Sequence, residues 1–152
     1  LAKIKNKVYD CAYKDFDKDN FIEILHNHKQ AFKKGVINSN RNGYQSPANL
    51  HELSQLHSFF TFVEKQTKHK IICAWANFNK GTDQNNIPHI HEGVLSGVFY
   101  VNVPEGSGAL NILDKKIIPQ EGILLYWPSN LLHSVDNNTL DVERISISFN
   151  LN

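Results

Sequence analysis

The sequence predicts a mainly β protein of jelly-roll type with helices packed on one side. Two observations lead there: helical periodicity confined to the first 66 residues, and a change to short β-prone runs bounded by turn-forming residues from about residue 69 onward. Helices first and strands after point to a sheet core buttressed on one face by helices. A jelly roll closes such short strands into a structure with few edges. No internal repeat or low-complexity tract divides the chain, so residues 1–152 are expected to form one domain, with helical support over about 17–66 and the β core over about 69–152.

The elements follow in order. From Asp19 to about Lys34, Phe21, Ile24, Leu25, His28 and Phe32 recur at three- and four-residue steps, and Gly35 stands where such a helix stops. Val36 to Gln45, rich in Asn, Ser and Gly, reads as an exposed loop rather than a ladder strand. Ser46-Pro47 then joins a capping hydroxyl to a proline suited to the first helical position. Leu50, Leu53, Leu56, Phe60 and Val63 carry the period on, predicting a second helix to about Gln66. Ile71 to Trp75, Leu95 to Val103, Ala109 to Leu113, Gly122 to Trp127 and Arg144 to Leu151 read as strands.

A hydrophobic fraction of 41% and a charged fraction of 20% are those of an ordinary globular protein. A chain of this size buries enough surface to fold without a disulfide or a structural metal. Its apolar runs are too short and interrupted to span a bilayer, and no signal peptide is visible, although the chain begins at Leu1 rather than Met. A net charge of +1 with scattered basic residues does not favour nucleic acid as a partner. Cys11 and Cys73 lie far apart without a CxxC pair, and are expected to be reduced thiols, which suits the cytoplasm. Asn137-Asn138-Thr139 matches the glycosylation sequon, a pattern short enough to arise by chance.

Three histidines in the strand half carry the chemistry. His89 and His91 stand two apart in Pro88-His89-Ile90-His91-Glu92, so in an extended segment their imidazoles share a face. His133, in Leu131-Leu132-His133-Ser134-Val135, is distant in sequence and joins them only if the strands bring the chain back, as a jelly roll does. Two close ligands and a distant third can occupy one face of an octahedral ion. The opposite positions are then left to water, a chelating co-substrate and dioxygen. An HxH pair by itself is more often incidental surface histidine.

In the last strand Ile145, Ile147 and Phe149 alternate with Arg144, Ser146 and Ser148. If the first three fill the sheet-to-helix core, the second three face the barrel interior. Trp75 and Trp127 read as pocket walls or core.

Several segments in order, Trp75-Ala76-Asn77, His89-Ile90-His91, Leu95-Ser96-Gly97-Val98-Phe99-Tyr100, Leu124-Leu125-Tyr126-Trp127-Pro128-Ser129, His133 and Arg144-Ile145-Ser146, carry a family likeness. Together they resemble the small 2-oxoglutarate/iron(II)-dependent oxygenases of phages and marine bacteria, which are similar to the prolyl-4-hydroxylase branch. The likeness is close over the C-terminal half, and Gly43-Tyr44-Gln45-Ser46 shares it.

The resemblance implies a double-stranded β-helix, the cupin-like form of the jelly roll. It implies iron(II) held by His89, His91 and His133, with His91 where many relatives carry Asp or Glu. Arg144 would pair with the far carboxylate of 2-oxoglutarate, gripping it through a planar fork that stays charged in a partly dry pocket. Ser146 and Tyr100 would add hydrogen bonds to it, and Asn77 would reach the carboxylate nearer the metal. The bland alternatives are a core-packing role for Tyr100 and a surface ion pair of Arg144 with Glu143 or Asp141. Glu92 is expected to be exposed or to support the metal site from outside, and is the nearest acid if the strand bends.

The implied activity is hydroxylation of a peptide side chain or small molecule by dioxygen, with succinate and carbon dioxide as co-products. A cupin-like three-histidine dioxygenase and a non-catalytic β-helix binding domain are the alternatives. Neither the prime substrate nor the oligomeric state is written in these residues.

Overall fold

The computed structural model describes residues 5–38, 40–41, 43–81, 85–89 and 91–152, and of residues 41 and 85–89 the backbone alone. The elements are β1 (Tyr9–Ala12), α1 (Lys18–Ala31), β2 (Asn40–Arg41), β3 (Tyr44–Gln45), α2 (His57–Thr67), β4 (Ile71–Lys80), β5 (Asn85–His89), β6 (Leu95–Asn102), β7 (Leu110–Ile112), β8 (Lys115–Ile117), β9 (Ile123–Pro128), β10 (His133–Val135) and β11 (Glu143–Leu151). They form a six-stranded sheet in the order β1-β9-β6-β11-β4-β3 and a five-stranded sheet in the order β2-β5-β10-β7-β8. From β4 to β11 the chain passes back and forth between the sheets, and the strands within each sheet pair antiparallel. This is the double-stranded β-helix that the resemblance implied.

Alternation along the strands sorts the interior into two cores. On one face of the large sheet Phe99, Val101, Ile145, Ile147 and Phe149 pack with Phe21 and Leu25 of α1 and with Phe59, Phe60 and Val63 of α2. On the other face Val98, Tyr100, Leu125 and Trp127 meet Leu110 and Ile112 of the small sheet. Each fully buried apolar side chain contributes about 1.5–3 kcal/mol, so the helix-facing core is the larger anchor.

The helices begin and end for local reasons. The Asp17 side chain caps α1 by accepting the Asn20 N–H at 3.2 Å. Lys68 closes α2 in the left-handed conformation, its N–H bonded to the Glu64 carbonyl at 2.9 Å.

Three expectations are corrected. Residues 36–45 are not simply an exposed loop: β2 pairs with β5 and β3 with β4. Asn40 is buried there, its amide donating to the carbonyls of Val36 and Gly43, so this polar segment satisfies its own backbone instead of leaving it to water. The second helix does not start at Pro47. Leu50–Glu52 and Ser54–Leu56 are 3₁₀ turns, and α2 follows from His57. Ser46 is no cap either, because β4 claims it: its buried hydroxyl accepts the Ala76 N–H at 2.8 Å and donates to the Pro47 carbonyl at 3.0 Å. Finally, β1, β5, β8 and β10 were not among the expected strands, and β4 runs on to Lys80.

Candidate active site

Cross-strand register builds one wall of the site. Ser148 of β11 lies between Trp75 of β4 and Val98 of β6; Ser146 lies between Asn77 and Tyr100; Arg144 lies opposite Asn79. Residues two apart share a face, so these rows look together toward the small sheet. With Trp127, His91, His133, Leu110 and Val135 they line one cavity between the sheets.

At one end stand the histidines. His133 opens β10 and is the register partner of His89 on β5. Its Nδ1 lies 3.1 Å from the Leu131 carbonyl, a contact that places the proton on Nδ1 and turns the Nε2 lone pair inward. That Nε2 is 3.1 Å from Nε2 of His91, with the rings nearly parallel at 21° and their centroids 4.9 Å apart. Adjacent corners of an octahedron with bonds of about 2.1 Å are about 3 Å apart, so this spacing fits two ligands of one ion. Trp75 lies over His91 at 5.7 Å between centroids, and Trp127 stands edge-on to His133 at 5.0 Å.

A long-range backbone bond helps to set His91 in place. β5 ends at His89, and the His91 backbone N–H is tied to the Ser129 carbonyl at 3.1 Å. The side chain of His89, and all of residue 90, lie outside the described residues. Among the described residues no three His, Cys, Asp or Glu side chains cluster; of the three expected ligands, His91 and His133 lie side by side. Glu92 is exposed, in keeping with its expected place outside the site.

The opposite end is cationic. Arg144 is only 3% exposed, and its Nη1 donates to the Gly108 carbonyl at 2.8 Å. Among the described residues it forms no ion pair with Glu143 or Asp141, so the surface-pair alternative fails. Burial pushes its pKa down, while Tyr100 and Asp136 pull it back up. Tyr100 is buried beside it, and burial raises the phenol to about 12 against the opposing pull of Arg144. Tyr100 therefore keeps its proton at neutral pH and remains a donor. Asn77 commits its Nδ2 to the hydroxyls of Ser146 and Ser148, at 3.3 and 2.8 Å, which fixes those serines rather than reaching past them.

Three buried polar atoms of residues lining this cavity lack a hydrogen-bond partner among the described residues: Arg144 Nε, Trp127 Nε1 and Asn79 Oδ1. Leaving such a group unsatisfied costs about 1–3 kcal/mol. A cluster of them on one cavity marks a place built for a polar ligand. A buried guanidinium with an indole N–H and a neutral phenol suits a carboxylate, and two converging imidazoles suit a transition metal, so the residues fit both iron and an oxo acid. Asn79 and Gly108 escaped the sequence reading. Asn79 continues the Trp75, Asn77 alternation and was legible; Gly108 acts through its backbone and left no signal.

Comparison with known proteins agrees with this architecture. The structure is similar to a Pseudomonas putida prolyl-4-hydroxylase (TM-score 0.73, 12% identity, covering 96% of this chain and 92% of that one). It is also similar to a prolyl hydroxylase from Trichoplax adhaerens solved with a hypoxia inducible factor peptide fragment (0.72, 14%, 96% and 83%). A third is an oxidoreductase of the 2OG-Fe(II) oxygenase family from Burkholderia pseudomallei (0.63, 12%, 93% and 83%). At these identities the likeness concerns the fold. No curated protein sequence matches the chain.

The fold is a double-stranded β-helix, and its cavity has groups that suit a metal ion and an oxo acid. A sequence family described as "Putative 2OG-Fe(II) oxygenase" matches residues 73–120 and 116–150, just over half of the chain, and the chain belongs to that family. It is accordingly an enzyme that depends on iron(II), 2-oxoglutarate and dioxygen. Among the described residues no helix is long and apolar enough to cross a membrane.

Proposed function

We propose that His89, His91 and His133 hold iron(II), that Arg144 with Ser146 and Tyr100 holds the far carboxylate of 2-oxoglutarate, and that the chain hydroxylates a peptide side chain or a small molecule. The observation that carries this reading is the buried Arg144 guanidinium, which lines the histidine-bearing cavity and whose Nε has no hydrogen-bond partner among the described residues. When bound, iron(II) and 2-oxoglutarate supply the oxidising power, releasing succinate and carbon dioxide as dioxygen is consumed.

The chain's own groups set the stage for that chemistry. The Leu131 carbonyl holds the His133 proton on Nδ1, leaving Nε2 as the ligand atom. Trp75 and Trp127 wall the imidazoles, one on each. Arg144 and Tyr100 would hold the co-substrate by its far carboxylate, and His91 and His133 lie across the same cavity. With three neutral imidazoles and no acid among the ligands, the protein neutralises less of the metal's charge, and more of that task falls to the dianionic co-substrate.

A peptide substrate draws support from the peptide held in the Trichoplax adhaerens structure. The free thiols Cys11 and Cys73 support a reducing, cytoplasmic setting. One domain is supported by a core in which α1 and α2 pack directly on β6 and β11. The three-histidine dioxygenase alternative has no use for a buried arginine at the end of the cavity.

The test is calorimetric titration of the anaerobic iron(II)-loaded protein with 2-oxoglutarate. Arg144→Ala should weaken binding roughly thirty-fold or more while iron binding persists. Absence of binding by the parent at millimolar concentration, or equal binding by the variant, overturns the assignment.

A further inference from the structure

The arginine that faces the cavity is itself held by a buried amide that does not line it. Asn138, 2% exposed, makes three hydrogen bonds. Its Oδ1 accepts the Gly108 N–H at 3.0 Å, and its Nδ2 donates to the carbonyls of Asn79 at 2.9 Å and Val142 at 3.1 Å. Each partner bears on Arg144. Gly108 supplies the carbonyl that takes Nη1, Asn79 is the register partner of Arg144 across β4 and β11, and Val142 lies two residues before it on the same segment.

Gly108 fits this place because it has no side chain: a Cβ there would lie 1.9 Å from the Asp136 carbonyl oxygen. Further backbone bonds, Asp136 N–H to Ala109 and Thr139 N–H to Gly106, lace the two loops together around the amide. An arginine side chain has several rotatable bonds, and a fixed acceptor on Nη1 determines which edge of its planar fork reaches the cavity.

We infer that Asn138 is a positioning residue, which through Gly108 sets the edge that Arg144 presents and so determines the preference for a dicarboxylic oxo acid over a monocarboxylic one. The inference rests on the reading of Arg144 as the partner of the far carboxylate. Asn138 holds the guanidinium's acceptor and the start of the guanidinium's own strand in one frame. Losing that frame leaves Arg144 buried but wrongly aimed, a small displacement that a two-bonded carboxylate contact tolerates poorly.

The experiment titrates the anaerobic iron(II)-loaded protein with 2-oxoglutarate and with 2-oxovalerate, which shares the oxo-acid end and chain length but lacks the far carboxylate. The parent should prefer 2-oxoglutarate. Asn138→Ala and Asn138→Ser should lose about tenfold or more in 2-oxoglutarate affinity, with 2-oxovalerate binding and iron stoichiometry unchanged. Equal weakening of both oxo acids, or of neither, overturns the inference, the first because it marks a merely structural role. A parent that does not distinguish the two acids overturns the reading of Arg144 itself. Should neither variant fold, the parent loaded with diamagnetic zinc(II) supplies the measurement by nuclear magnetic resonance. 2-Oxoglutarate, but not 2-oxovalerate, should shift the Gly108 amide and the Asn138 side-chain amide signals, and shifts that are equal or absent overturn the inference.

Discussion

The two faces of β11 differ by a single step along the chain and serve opposite ends. Ile145, Ile147 and Phe149 turn to the helices and are buried among other apolar groups. Arg144, Ser146 and Ser148 turn to the cavity, where polar groups are gathered and Arg144 Nε, Trp127 Nε1 and Asn79 Oδ1 have no hydrogen-bond partner among the described residues. Stability is concentrated on the first face and recognition on the second, and because side chains alternate along a strand, one strand carries both.

That separation can be broken or sharpened by substitution. The largest effect belongs to the helix side: Phe99→Ala should cost about 3–5 kcal/mol in urea unfolding, while the folded fraction binds 2-oxoglutarate much as the parent does. On the cavity side Arg144→Met should reverse the pattern. It removes about 2–5 kcal/mol of 2-oxoglutarate binding, but leaves the ligand-free melting transition closer to the parent than Phe99→Ala does. A variant that loses both in parallel would show that the faces are not independent.

Within the cavity, His91→Ala should weaken iron binding clearly and Glu92→Ala should not, as read by metal content after dialysis. The opposite outcome would assign the ligand role to Glu92. The smallest effect concerns Tyr100. Burial raises its phenol from an ordinary value of 10.0 to about 12, so the folded protein keeps a proton that the unfolded chain has already lost. The stabilisation is whole below pH 10 and is lost as pH rises from about 10 through about 12. Tyr100→Phe should therefore flatten the alkaline fall in stability within that window and leave unfolding at pH 7 nearly unchanged.

What could be read beforehand was whatever depends on period. The alternation in Arg144 to Leu151 placed the polar set inside the barrel, and the three- and four-residue steps from Phe21 to Phe32 found α1. What depends on distant partners could not be read. Ser46 has the look of a helix cap, yet a strand thirty residues away takes its hydroxyl. β1 is four residues of unremarkable composition that become a strand because β9 offers an edge, and the polar β2 and β3 are strands for the same reason. His91 was expected to share a strand face with His89; a bond to the distant Ser129 carbonyl, which no local pattern announces, ties its backbone where its ring lies beside His133. Asn138 lies in a segment whose only visible pattern was a glycosylation sequon, and its bonds to Gly108, Asn79 and Val142 exist only once three parts of the chain have met.

The place of β11 also bears on how the protein comes to be folded. It lies between β6 and β4, which do not pair with each other, so without it the large sheet exists as two pieces, β1-β9-β6 and β4-β3. Both neighbours, and both helices that cover them, precede it in the chain. During synthesis the emerging polypeptide must hold Phe99, Phe59 and Leu25 without their final cover until Glu143–Leu151 has left the ribosome, a window in which exposed apolar surface and open strand edges invite association. Because Arg144, Ser146 and Ser148 arrive on that same strand, the ligand cavity and the large sheet are completed in one event, and a nascent chain stalled before residue 143 has neither.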